Sequence, residues 1–202
     1  MISAITKKNE HGFSSVEIMV STAIAMMVLA AVTNTFIGQT RYYNAQEQLN
    51  EMQQNARAAI DLIARELKVA GYDPSGAAIS NGIPYSPSQL EMLADLSGDG
   101  SVSGLDEDII YTYDPSNLRI LRTSGGATST LSENIVEFTF DYLDANGNST
   151  ISAPSIRQVR VTITAQTSKP DPNYTANNGH PTYQLTALVT PKNLCYKAGG
   201  CP

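Results

Sequence analysis

The sequence predicts an α+β chain, with one long amino-terminal helix packed on an antiparallel β-sheet. Three observations predict it. Residues 18–40 carry no charge. From Ala45 to Ala70 apolar residues recur at steps of three and four. From Asp108 onward the apolar period changes to two.

The uncharged run comes first. It is long enough for a bilayer core, which takes about 20 apolar residues. Lys7 and Lys8 precede it, and Arg41 is the next charge after it. By the positive-inside rule, the first twelve residues face the cytoplasm and the bulk of the chain is exported. A cleaved secretory signal also has an apolar run followed by small residues. Here, however, the run passes without a proline into a polar helical pattern, so its removal would behead a helix. The small residues Gly12, Ser14 and Ser15 lie before the run. A cut there leaves the apolar helix on the mature chain.

The second observation extends that helix. Ala45, Leu49, Met52, Ala56, Ile60, Ile63, Leu67 and Ala70 form one stripe of an amphipathic helix. Polar residues such as Gln46, Asn50, Gln54 and Arg57 take the other face, where Asp61 and Arg65 are a favourable i,i+4 pair. Gly71 and Pro74 are stop signals. A single helix from about Phe13 to Ala70 is expected, on the order of 85 Å long.

The third observation supplies the sheet. Residues 108–114 and 117–123 flank Pro115-Ser116 and read as a hairpin. In 134–144, Val136, Phe138, Phe140 and Tyr142 alternate with Ile135, Glu137, Thr139 and Asp141. Asn146-Gly147 then marks a turn. Residues 156–166 alternate imperfectly, which suggests a bulge, and 182–191 complete about five strands. An antiparallel sheet with one buried face needs a cover, and the Leu49–Leu67 stripe is the candidate. The connection 72–107 reads as a long loop with few apolar anchors.

Composition narrows the function. The 202 residues are 42% hydrophobic, enough for a core, and carry a net charge of −6. Phosphate binding needs a basic surface, so nucleic acid is not an expected partner. Only 16% of residues are charged, a composition read as that of an exported protein. Cys195 and Cys201, the only cysteines, close the chain as CYKAGGC. In an exported chain such a pair reads as a disulfide, with two free thiols as the alternative. Two sulfurs without a nearby histidine make half a metal site at most. His180 stands alone in a Pro/Asn loop. There is no Gly-x-Ser-x-Gly, no His-Glu-x-x-His and no phosphate-binding loop, so no enzymatic activity is expected.

One loop has the spacing of a cation site. DLSGDGSVSGLD, residues 95–106, places oxygen-bearing residues at loop positions 1, 3, 5, 7, 9 and 12, with Gly100 at position 6. That is the pattern of the twelve-residue calcium loop. Asp95, Ser97, Asp99 and Asp106 would offer side-chain oxygens, Ser101 its carbonyl, and Ser103 a water-mediated contact. Glu107 and Asp108 are alternative donors. The other reading is an ordinary Asp/Gly/Ser turn. No cofactor is required; Ca2+ is the one candidate.

The segment GFSSVE at 12–17, ahead of an apolar helix, resembles the class III signal of type IV prepilins and type II secretion pseudopilins. That resemblance implies the type IV pilin-like form of the α+β fold. It implies cleavage by a prepilin peptidase between Gly12 and Phe13, N-methylation of Phe13, and an assembly role for Glu17. The stretches QEQLNEMQQNARAAIDLIARELKVAGYDP and VTPKNL look most like minor pilins of the PilW type. Ser14 and Ser15 replace the more usual Thr-Leu, and Asn34 stands where many major pilins carry a kinking proline. The implied organisation is a leader (1–12), a transmembrane and assembly half-helix (13–37) and a periplasmic domain (38–202). The implied function is that of a minor pilin, anchored in the inner membrane and then incorporated in the pilus, helping to initiate assembly. A GspJ-like minor pseudopilin of a type II secretion system is the alternative. The implied partners are major and other minor pilins through the helix, the peptidase and inner-membrane lipid. A tip adhesin is a variant that remains open.

Glu17 then has two readings. A carboxylate in the first turn of a helix is favoured by the macrodipole. In an assembly it would also meet the cationic amine that cleavage creates on Phe13 of a neighbour. Desolvation offsets much of such a pair's Coulombic gain, so its better-attested value is register.

Overall fold

The computed structural model describes residues 12–76, 79 and 81–197, without the side chains of 196 and 197. The chain divides into two compact units, one ending at Gln46 and one beginning at Glu47. The class is α+β, with a long amino-terminal helix and antiparallel sheets.

Helix α1 covers Ser15–Val69, 55 residues, within two residues of the expected span at its start and one at its end. In the first unit every described residue up to Asn44 is exposed, the apolar ones included. In the second unit the helix buries Met52, Ala56, Ala59, Ile60, Ile63 and Leu67. This is the stripe that the spacing predicts, with Leu49 packed at its margin. Burying a side chain such as Ile63 or Leu67 completely is worth about 1.5–3 kcal/mol. The helix stops at Gly71, which takes φ +79° and donates its amide to Leu93 O at 2.8 Å. A Cβ there would lie 2.6 Å from Leu194 Cδ2, so both conformation and space call for glycine.

Among the described residues seven strands follow rather than about five, and they form two sheets rather than one meander. Strands β1 (Gln89–Leu93), β2 (Asp108–Asp114), β3 (Arg119–Ser124) and β4 (Ala127–Glu133) pair in that order. Strands β5 (Ile135–Leu143), β6 (Gln158–Gln166) and β7 (Thr182–Val189) form the second sheet. All pairings are antiparallel. The sheets part at Asn134, whose φ of +58° turns the chain between β4 and β5. A short helix α2 (Lys192–Lys197) ends the described chain. From it, Asn193 Nδ2 donates to Val69 O at 3.1 Å and satisfies a carbonyl left open at the end of α1.

The connection between α1 and β2 is not the poorly anchored loop that its composition suggests. It contains β1 and buries Ile79, Ile83, Leu90, Met92 and Ala94. The predicted hairpin at 108–123 is present, with Ile110 opposite Thr123. The Asp114 carboxylate accepts bonds from Asn117 Nδ2 at 2.8 Å and Arg119 Nε at 3.0 Å and pins its turn. Strand β6 begins at Gln158, two residues later than expected, and then alternates cleanly: Val159, Val161, Ile163 and Ala165 all face the core. The irregularities lie elsewhere, between Ile135 and Glu137 in β5 and between Ile120 and Leu121 in β3. The first lets Ile135 point inward together with Phe138 and Tyr142.

Candidate functional site

The amino-terminal segment is the first candidate. Gly12 and Phe13 precede α1 and are exposed, Phe13 to 81%. A Cβ built on Gly12 meets nothing within 4 Å. Glu17 lies in the first helical turn and is exposed. It shares a shallow groove with Phe13, Ile18, Ser21, Thr22 and Ala25.

Beyond Glu17, the hydroxyls satisfy themselves within the helix. Ser21 Oγ donates to Glu17 O at 2.7 Å, Thr22 Oγ1 to Ile18 O at 2.9 Å and Thr33 Oγ1 to Leu29 O at 2.8 Å. Thr35 and Thr40 donate in the same way to Ala31 and Phe36. A segment that enters lipid must meet this requirement, because the bilayer core offers polar groups no water. Among the described residues α1 is the one helix long and apolar enough to cross a membrane, and none of its apolar window is buried.

The 95–106 loop is the second candidate. Asp95 is fully buried, and its two oxygens accept the amides of Gly98 at 2.7 Å and Gly100 at 3.1 Å. Glu107, also buried, accepts the amides of Ser97 and Gly104, each at 2.8 Å. Those amides, that of Ser97 first, hold the Glu107 carboxyl below the usual carboxylate range. Asp99 Oδ1 accepts the Ser101 amide at 2.8 Å, and the hydroxyls of Ser101 and Ser103 lie 2.8 Å apart. Asp95, Ser97 and Glu107 are therefore brought together.

Asp106 goes elsewhere. Its φ is +62°, and its Oδ1 accepts from Arg122 Nη2 at 2.6 Å and from Ser124 Oγ at 3.0 Å. The guanidinium, then the hydroxyl, holds its carboxyl below the usual range. Asp108 lies half-buried, and burial pushes its carboxyl up. Among the described residues no group of three or more His, Cys, Asp or Glu is placed to hold a metal.

Arg122 is the centre of a network that the sequence reading missed. Its Nε and Nη2 reach Glu66 Oε1 at 3.1 and 2.9 Å, a fork on the carboxylate. Tyr111, opposite Arg122 in the β2–β3 ladder, donates its hydroxyl to the same carboxylate. Burial, then the Glu66 carboxylate, raises the Tyr111 phenol well above its ordinary value. The four side chains tie the second unit's part of α1 to β2, β3 and the end of the loop. Arg122 keeps the parity of buried Ile120 in β3, so an inward-facing cation was visible in the strand pattern. Its partner was not.

His180 Nδ1 donates to Thr167 O at 2.7 Å, a bond that holds a loop. Cys195 is buried in α2, and Cys201 lies outside the described residues, as does the leader up to residue 11.

The first class that the geometry defines is a folded α+β unit carrying an exposed apolar helix. Known proteins add little to that. No protein-family model and no curated protein matches the chain significantly. Among solved structures it is similar to a type IV-like pilin from Thermus thermophilus, with 16% identity and a TM-score of 0.47, over 70% of this chain and 97% of that one.

Proposed function

We propose that the chain is a minor type IV pilin of the PilW type, anchored in the inner membrane with its domain in the periplasm and then incorporated in the pilus, where it helps initiate assembly. The observation that carries this reading is the conjunction at the amino terminus. An exposed Gly12-Phe13 precedes a helix whose apolar residues up to Asn44 have no cover, and that helix has one carboxylate in its first turn. The stretches 46–74 and 189–194 favour this reading over a GspJ-like pseudopilin, which would use the same helix in a different machine.

The reading assigns roles. A prepilin peptidase cleaves after Gly12 and methylates Phe13. The new amine, still cationic after one methylation, pairs with Glu17 of a neighbouring subunit. Inside a bundle of apolar helices such a pair sets the axial register more than it adds stability. The helix residues 13–37 contact lipid in the monomer and other pilins in the filament. Cys195 and Cys201 form a disulfide in the oxidising periplasm, and an intact mass that shifts on reduction and alkylation checks it.

The test uses cells that make the filament. The wild-type chain is expected at its processed size in the sheared pilus fraction. Gly12→Ala should stay in the membrane at the size of the precursor. A Gly12→Ala chain of mature size, or one found in filaments, rejects the reading.

A calcium ion held by Asp95, Ser97, Asp99, Ser101 and Asp106 is proposed on the loop spacing alone. Asp106 would then exchange Arg122 for the ion. Calcium at 100 times its dissociation constant should add about 2.7 kcal/mol. An unchanged melting temperature, or a rise that Asp99→Ala leaves intact, rejects the ion.

A further inference from the structure

We propose that Arg41, Tyr42 and Tyr43 form a collar that seats α1 in the headgroup layer of a phospholipid membrane, at the end of the apolar stretch away from Glu17. The proposal rests on the membrane-anchored reading above and names the lipid contact that fixes its depth. Glu17 and Arg41 are the charges that bound the uncharged residues 18–40. At 1.5 Å per residue these rise about 34 Å, against a hydrocarbon core of about 30 Å. A modest tilt brings both charges to the two headgroup layers.

The side chains suit that place. Tyr42 and Tyr43 are 64% and 71% exposed, and Arg41 is exposed too. Three successive helical residues are turned about 100° from one another, so together they sweep about 200° of the helix circumference. A protein contact engages one face, as the sheets engage the Met52–Leu67 stripe. A membrane interface surrounds the helix. The first half-buried residue after the collar is Ala45, so the one-sided pattern begins only beyond it.

Tyrosine is amphipathic: its ring favours the acyl boundary and its hydroxyl the headgroups. The Arg41 stem can lie along the apolar surface while its guanidinium forks onto a lipid phosphate. Below the collar, Thr33, Thr35 and Thr40 donate to carbonyls one turn back, so their hydroxyls require no water deeper in the bilayer.

The chain contains no tryptophan, which makes the test clean. Leu29→Trp, Tyr42→Trp and Tyr43→Trp are made singly in the full chain and reconstituted in phosphatidylethanolamine–phosphatidylglycerol vesicles. The acyl chains carry bromine at graded depths. The expected result is strongest quenching of L29W by deep bromines, and of both Y42W and Y43W by shallow ones. Both collar variants should also be several-fold less accessible to aqueous iodide than free tryptophan amide. If L29W is quenched at depth while both collar variants are fully open to iodide, the collar is wrong and the anchored reading stands. If only one of the two is protected, the contact is one-sided and the collar is again wrong. If L29W itself is open to iodide, the anchored reading fails and the collar with it.

Discussion

The two parts of α1 share one backbone and differ in almost everything else. Up to Asn44 the helix is apolar nearly all round and entirely exposed. From Met52 to Leu67 it is apolar on one stripe, and that stripe is buried. Propensity is common to both parts, so it does not decide their fate. What differs is the arc over which apolar residues are spread. A narrow stripe is satisfied by one sheet, whereas a full circumference needs a solvent of its own, lipid or other helices. A single helix can thus be covered by a folded domain along one part and stay apolar and exposed along the other.

Substitutions matched across the two parts break or sharpen that contrast. The largest effect on domain stability is expected at the stripe. Ile63→Ala should cost about 2–5 kcal/mol in chemical unfolding, through the lost transfer energy and the cavity left behind. Ile24→Ala, of the same chemistry in the exposed part, should stay within about 0.5 kcal/mol by the same measurement. Equal losses at the two positions would dissolve the distinction.

Next in size is the Arg122 network. Arg122→Met leaves Glu66 without its fork and should cost about 3 kcal/mol, because the partner left behind is poorly solvated. Adding Glu66→Gln should recover part of that loss, and a double-mutant cycle gives the coupling directly.

A smaller effect should appear with pH. The Asp106 and Glu107 carboxyls are held below their ordinary range when folded. The stability they contribute is fully present above the unfolded carboxylate pKa, about 4, and is lost as pH falls through their folded values. Melting temperature should therefore drop below pH 4, and less steeply in Asp106→Asn. Smallest of all on the domain is Glu17→Gln, which should leave unfolding unchanged and lower the number of filaments per cell. Full piliation in that variant would count against the register role.

The same contrast explains what could be read in advance. The helix, its stripe and its stop were legible because period, glycine and proline are local signals. The 108–123 hairpin and the turn at Asn146-Gly147 were legible for the same reason. Strand β1 was missed because its Leu90 and Met92 lie inside a stretch otherwise rich in Ser, Gly and Pro. Strand β4, ATSTLSE, shows little apolar alternation, since its first four residues are exposed and it is held by pairing with β3. The division into two sheets depends on the turn at Asn134, and asparagine in a positive φ looks like any other asparagine in a sequence. In the loop, the spacing that suggested calcium could not reveal where Asp106 points. That depends on Arg122, sixteen residues away in sequence, and on Glu66, which fixes the guanidinium from the helix.

The measurement that bears most directly on the central claim is the intact mass of the chain recovered from cells that hold a prepilin peptidase. The account predicts a chain that begins at Phe13, heavier by one methyl group at its amino terminus, with the apolar helix retained. A mature chain that begins beyond residue 37 would contradict it, because the exposed part of α1 would then be a discarded signal and not the part that assembles.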